Sequence, residues 1–264
     1  PAALAALRGR LGRRYPLHIG GRDVVTREVT ASLNPADPDE VIGRVCQAGE
    51  AEAERALAAA GAAFPAWRDT PPEVRAEALR RAAAAARGRL VELAAWQILE
   101  AGKQWDQACA DVVEAIDFLE YYAGEMRRLA APRPLGSAPG EANAYGYEPR
   151  GVAAVIAPWN FPLAISAGMC AAALVTGNTV VYKPSGFTAV IGHLLLELFQ
   201  AARLPAGVFN YLPGRGSVIG DRLVDSPRVS LIAFTGSLET GTRILERAAR
   251  VQPGQAHVKR VICE

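Results

Sequence analysis

Residues 151–184 read GVAAVIAPWNFPLAISAGMCAAALVTGNTVVYKP. Gly151–Pro158 is a short apolar run ended by a proline, and Asn178–Pro184 is a second. Between them Pro162–Leu174 is too long for one strand and has the small apolar residues of a buried helix. Two buried strands joined through a helix form a right-handed crossover, and such a crossover makes the strands parallel. The pattern continues downstream: 189–202 reads as a helix, 208–213 as a strand, and 217–224 as a helix. A strand at 229–235, a helix at 238–249 and a fifth strand at 258–264 complete it. The reading is an α/β fold, a parallel sheet covered by helices.

Ligands of such sheets bind beyond the carboxyl ends of the strands. The conspicuous residues fall there: Trp159-Asn160, Lys183-Pro184-Ser185, Gly214-x-Gly216, Gly236-Ser237 and Glu264. Upstream, 131–143 (APRPLGSAPGEAN) interrupts the helical pattern and leads into an extended AYGYEPR. The preceding region is mostly helical. LHIGGR and VIGRVC read as short strands separated by NPADPD. Leu79, Ala82, Ala86, Leu90 and Leu93 then recur at helical spacing after Pro71-Pro72, and Trp105, Cys109, Val112, Ile116, Leu119, Ala123 and Met126 form a second stripe. This divides the chain into a helical region (1–131), a connection (132–150) and a nucleotide-binding sheet (151–264).

The totals narrow the classes. In 264 residues, half of them hydrophobic, there is ample material for a buried core, and a net charge of +2 without a basic stripe argues against a nucleic-acid surface. No apolar run reaches the ~20 residues of a membrane helix. Cys46, Cys109, Cys170 and Cys263 are scattered, as are His18, His193 and His257, so neither a disulfide scaffold nor a metal site is expected. A reducing cytoplasm is the default setting.

Each motif has a plain structural alternative. Gly214-Arg-Gly216-x-x-x-Gly220 can bring backbone near a phosphate or simply turn a strand into a helix. Ser237 can contact a phosphate or cap its helix. Lys183 can bind a ribose or phosphate, or be solvated. Asn160, between two aromatics and two prolines, can donate to an oxyanion or make an Asx turn. Cys263 beside Glu264 suggests a nucleophile and its base, but adjacent strand residues project to opposite faces and cannot converge on one carbon. Cys170 reads as core.

Taken together, PWNFP, KPS, GxGxxxG, FTGS and a strand-terminal glutamate, in this order, resemble the aldehyde dehydrogenase superfamily. YPLHIGG, EAIDFLEYY, WNFPLAI and RAARVQPGQ are similar to its 1-pyrroline-5-carboxylate (glutamate semialdehyde) dehydrogenase branch. The resemblance implies a Rossmann-like cofactor sheet behind a helical N-terminal region, the N-terminal portion of that family's fold. It implies that Asn160 is the oxyanion amide and Glu264 the general base that activates water. It places Lys183 and Ser185 near the adenosine ribose, Gly216 and Gly220 at the nucleotide-proximal helix turn, and Gly236 and Ser237 at the pyrophosphate. Ile156, Pro158, Trp159, Gly186, Phe234 and Thr240 would complete the cofactor wall, and Phe161 would touch the aldehyde substrate. NAD is the implied cofactor, with NADP as the alternative because Gly186 stands where the family usually has an acidic residue. The family's nucleophilic cysteine lies beyond the glutamate, so these residues alone are expected to be inactive. A homo-oligomer, joined through a flap near Tyr145-Gly146-Tyr147, and fusion to a proline dehydrogenase are the implied assemblies. The competing readings are a dehydrogenase of another aldehyde and a silent dinucleotide-binding or assembly module.

Overall fold

The computed structural model describes residues 2–136 and 138–264. Pro1 and Ser137, which fall in the first two segments read above, lie outside the described residues. Helix α1 (Ala2–Arg8) leads to β1 (Arg13–Tyr15), β2 (Leu17–Ile19), β3 (Arg22–Val24), β4 (Val29–Asn34) and β5 (Asp37–Cys46). LHIGGR is therefore not one strand. Gly20 and Gly21 take φ of 61° and 81°, a backbone that side chains strain, and fold the segment into a β2–β3 hairpin. Strand β4 has no counterpart in the sequence reading, because its outer positions are polar or exposed.

Four helices follow: α2 (Glu50–Arg68), α3 (Pro72–Gly88), α4 (Leu90–Ala101) and α5 (Trp105–Ala130). Pro72 opens α3, where its missing N–H costs nothing. The stripe from Leu79 to Leu93 is nevertheless two helices. Arg89 (φ −116°, ψ 13°) breaks the chain after Gly88, and Leu90 and Leu93 belong to α4. Apolar spacing records which residues face the core, and both helices face it, so a one-residue break leaves no trace. Gly102, left-handed at φ 68°, closes α4. A small ribbon, β6 (Arg133–Pro134) with β7 (Ala144–Tyr145), stands out at the surface.

The remainder alternates: β8 (Val152–Ile156), α6 (Ala164–Val175), β9 (Thr179–Lys183), α7 (Ala189–Ala201), β10 (Phe209–Tyr211), α8 (Asp221–Asp225), β11 (Val229–Phe234), α9 (Leu238–Ala248) and β12 (Arg260–Cys263). The sheet runs β12-β11-β8-β9-β10-β2-β3. Its first five strands are parallel, as the crossovers require, and the β2–β3 hairpin extends the edge antiparallel. Residues 1–131 therefore supply two strands to the sheet as well as helices. Alternation along β8 feeds two cores. Ala153 and Val155 join one with α3–α7, while Val152, Ala154 and Ile156 join another with α2, α8 and α9. The chain runs outward from β8 in both directions, so β8 and β11 flank the switch point where a crevice opens.

Candidate functional site

A cleft of about 820 Å³ lies at that switch point. Its floor is the strand ends Ile156, Lys183, Phe234 and Glu264. Hydrogen bonds between successive ends fix their register: Ala157 N–H donates to Lys183 O (3.1 Å), Thr235 N–H to Ile156 O (3.3 Å), and Glu264 N–H to Phe234 O (3.1 Å). Gly236 N–H returns one to Glu264 O (3.0 Å), so the glutamate backbone is held on both sides.

The walls are turns. Pro158, Trp159 and Asn160 form one, Ser185 and Gly186 a second, Gly216 and Gly220 a third, and Gly236, Ser237 and Thr240 a fourth. At Gly186, Gly216 and Gly220 a Cβ would meet nothing within 4 Å, so a ligand can come close to this backbone. Gly236 is required locally, because a Cβ there would lie 2.6 Å from the Phe234 ring. A single π-helical turn over Gly216–Gly220 precedes α8, which is shorter than the sequence pattern suggests. Ser237 accepts from Thr240 N–H (3.3 Å) and caps α9, with its hydroxyl on the cleft wall.

Of the residues read from the sequence as catalytic or cofactor-binding, the cleft gathers every one, while Gly214, Pro184 and the substrate candidate Phe161 do not line it. The Phe161 ring turns the other way, under the Lys103 ammonium at 4.1 Å. Lys183 is not solvated, as one reading had it. It is buried with its ammonium 3.0 Å from Pro184 O, and loss of water pushes its pKa down to about 8. Asn160 and Glu264 are both exposed on the wall. Cys263 points away, its Sγ 3.9 Å from Gly241 O on α9, and Cys170 is fully buried in α6 with its thiol held protonated by burial.

Sequence reading missed Ser217, Asp221, Thr235 and Arg243, which also line the cleft, the last in an ion pair with Asp221. It also missed the supports behind the wall. Asp111 of α5 has no exposed surface, and its pKa is raised by that burial. Its carboxylate accepts from Ala164 N–H (2.6 Å) at the start of α6 and from the Lys103 ammonium (2.6 Å). Glu100, at the end of α4, accepts from Ser32 Oγ (2.6 Å), Val190 N–H (2.9 Å) and Ile191 N–H (2.8 Å). A charged residue in a buried helical stripe was the available signal. Among the described residues no group of His, Cys, Asp and Glu could hold a metal, and no helix is long and apolar enough to cross a membrane.

A family model described as the aldehyde dehydrogenase family matches residues 24–264. The 1-pyrroline-5-carboxylate dehydrogenase of Geobacillus thermodenitrificans is 53% identical over 263 residues, covering 100% of this chain and 51% of the relative. The 1-pyrroline-5-carboxylate dehydrogenase 2 of Bacillus subtilis is 54% identical over 262 residues, 99% of this chain and 51% of the relative. Among solved structures, a Thermus 1-pyrroline-5-carboxylate dehydrogenase with bound NAD superposes with a TM-score of 0.98 at 48% identity, covering 100% of this chain and 51% of that one. Proline utilization A of Bdellovibrio bacteriovorus superposes with 0.98 at 43% identity, covering 100% of this chain and 28% of that one. The chain spans about half the length of the curated relatives it matches.

Proposed function

The chain belongs to the aldehyde dehydrogenase family, and from that premise we propose that it is the cofactor-binding part of a longer enzyme that oxidises L-glutamate γ-semialdehyde to glutamate. The supporting observation is the single cleft at the switch point, which brings an amide, a lysine, glycine turns and a carboxylate together. The relatives named for this reaction, about half identical over the whole chain, support the choice of aldehyde.

NAD fits the cleft: its pyrophosphate would lie on the Gly236–Ser237 turn and the first N–H groups of α9, where a helix start favours an anion. Its adenosine ribose would meet Lys183 and Ser185, and the Gly216–Gly220 turn would flank it. With no carboxylate at position 186, NADP is the alternative cofactor. When bound, the cofactor supplies the hydride acceptor.

Asn160, fixed by the Pro158–Pro162 turn, would donate its amide N–H to the oxygen of the aldehyde as a nucleophile adds to its carbon. The nucleophile is a thiolate from outside these residues, because Cys170 and Cys263 both face packed helices. Glu264 would take a proton from the water that releases the acid. Exposed Tyr145 on the β6–β7 ribbon and Tyr147 just beyond it would join copies of the enzyme, and fusion to a proline dehydrogenase belongs to the same proposal. All four thiols stand unpaired, which suits a reducing, cytoplasmic setting.

The test compares the 264-residue chain with the longer polypeptide that carries it, using the semialdehyde and NAD. The expected outcome is calorimetric binding of NAD by both and turnover by the longer polypeptide alone. Turnover by the 264 residues would overturn the assignment of the nucleophile, and absence of NAD binding would overturn the cofactor assignment.

A further inference from the structure

A second groove, about 1000 Å³, joins the cleft through Lys183, Ser185, Gly186 and Gly216, and Glu100 lies in its wall. Glu100 is 3% exposed and comes from α4. Its carboxylate ties α4 to two other elements: β4 through Ser32, and the first turn of α7 through the N–H groups of Val190 and Ile191. Helix α7 has no cap of its own, since Thr188 makes no side-chain capping bond. The α7 start is joined to the rim by one short turn. Ser185 caps the 3-10 turn Gly186–Thr188 by accepting from Phe187 N–H (3.3 Å), and Thr188 N–H returns to Ser185 O (3.3 Å). Movement at Val190 therefore moves Ser185 and Gly186.

We propose that Glu100 is a positioning residue for the cofactor: by capping α7 from outside, its carboxylate sets the Lys183–Ser185–Gly186 rim against which the adenosine ribose seats. This rests on reading the cleft as a dinucleotide site. Only the ionised form serves all three donors. A protonated carboxyl would have to turn its O–H to Ser32 Oγ, which can accept it, and its uncharged oxygens would cap the two N–H groups of α7 more weakly. The groups that feel the Glu100 charge are phenols, Tyr15 of β1, Tyr182 of β9 and Tyr211 of β10, all held protonated by burial. His193 of α7, beside Tyr15 and Tyr211, is pushed toward neutrality by its own burial. Burial raises the Glu100 pKa to about 7, and no cation among the described residues offsets it. Lys183 in the same groove wall loses its charge near pH 8. The two groups act on opposite limbs: affinity for NAD should rise with pH as Glu100 ionises and fall as Lys183 is neutralised.

The experiment is calorimetric titration of NAD into the 264-residue chain between pH 6 and 9, with Glu100→Gln and, as the milder change, Ser32→Ala. The wild-type chain should show both limbs. Glu100→Gln should bind about tenfold more weakly at pH 7.5, as loss of a charged cap implies, and should lack the rise while keeping the fall. Ser32→Ala, which leaves the α7 bonds intact, should keep both limbs and shift the rise to higher pH, because one bond to the ionised form is gone. A Glu100→Gln chain with wild-type affinity and a wild-type rise would overturn the inference. So would a Ser32→Ala chain whose rise does not move, even where the Gln variant fails to fold. A wild-type chain that takes up no NAD would overturn the dinucleotide reading itself, and this inference with it.

Discussion

At the scale of single residues, the fold tolerates a charge that its own stability opposes. Glu100 titrates near 4.5 in an unfolded chain and at about 7 when buried. Its folded-state pKa is raised, so its contribution favours folding fully below pH 4.5 and is lost as pH climbs through 7. The shift corresponds to about 3 kcal/mol by linkage, an order-of-magnitude figure. Glu100→Gln removes the titration. Denaturant unfolding of both proteins at pH 4.5 and pH 8 should show the wild type losing about that much relative to the variant, with other groups cancelling in the difference. An unchanged difference would mean that the carboxyl is not buried as described. A stability cost at neutral pH is the signature of a group retained for the geometry it imposes. Sequence could not show this. Leu99-Glu100-Ala101 reads as an ordinary helix end, and only the fold places Ser32, Val190 and Ile191 around that carboxylate. Asn160, Lys183, Gly236 and Glu264 were legible because strand ends in a parallel sheet share one rim whatever the helices do. Phe161, read as a contact of the aldehyde and not of the cofactor, lies outside this cleft with its ring against the Lys103 ammonium.

At the scale of elements, α6 shows how a helix with no N-terminal side-chain cap of its own is held. Leu163 at its start makes no side-chain cap. Asp111 of α5 accepts from Ala164 N–H there, and the Arg75 guanidinium of α3 donates to Val175 O (2.8 Å) at the other end. A carboxylate at the N-terminus and a guanidinium at the C-terminus oppose the helix dipole with charges borrowed from two neighbouring helices. The turn Pro158–Pro162 is continuous with that first turn, and Phe161 O accepts from Ile165 N–H (3.1 Å). The placement of Asn160 thus descends from α5. Asp111→Ala would leave the Ala164 N–H and the Lys103 ammonium without their partner in a site that is 10% exposed at Lys103 and closed at Asp111. Breaking a buried pair by deleting one member costs about 3–5 kcal/mol. Urea unfolding should register that loss, and Lys103→Met in the Asp111→Leu background should recover part of it by removing the stranded charge. A loss under 1 kcal/mol for Asp111→Ala would show that α6 is held by packing alone. The helices themselves were legible from apolar spacing. Their capping was not, because the partners are 53 and 100 residues away.

At the scale of the whole molecule, the boundary read at residue 151 divides the sequence by pattern, whereas the cores run across it. One core packs Leu79, Trp96, Val112 and Leu119 from upstream with Val155, Tyr182, Leu195 and Phe209 from downstream. Polar ties follow the same course: Trp67 Nε1 donates to Leu174 O (3.0 Å), Thr179 Oγ1 to Ala60 O (3.0 Å), and Gly20 N–H to Asn210 Oδ1 (2.9 Å). Hairpin β2–β3 covers the β10 edge of the sheet, which would otherwise present unpaired backbone groups. Residues 151–264 alone would lose α2 from one face of the sheet, α3–α5 from behind α6 and α7 on the other, and the cover of that edge. Two domains that fold independently would each keep a core of their own, and here the downstream part would lose α2 from one core and α3–α5 from the other. The expected outcome is that 151–264, expressed separately, binds a hydrophobic dye and unfolds without a sharp transition. The 264-residue chain should unfold in one step by circular dichroism and by tryptophan fluorescence, because Trp67 and Trp96 sit in the core that both parts share. Two separated transitions in the intact chain, or a cooperative one in 151–264 alone, would show that the pattern boundary is also a folding boundary. In that case the upstream supports of the rim, Glu100 and Asp111, would act on a sheet already formed rather than help to form it.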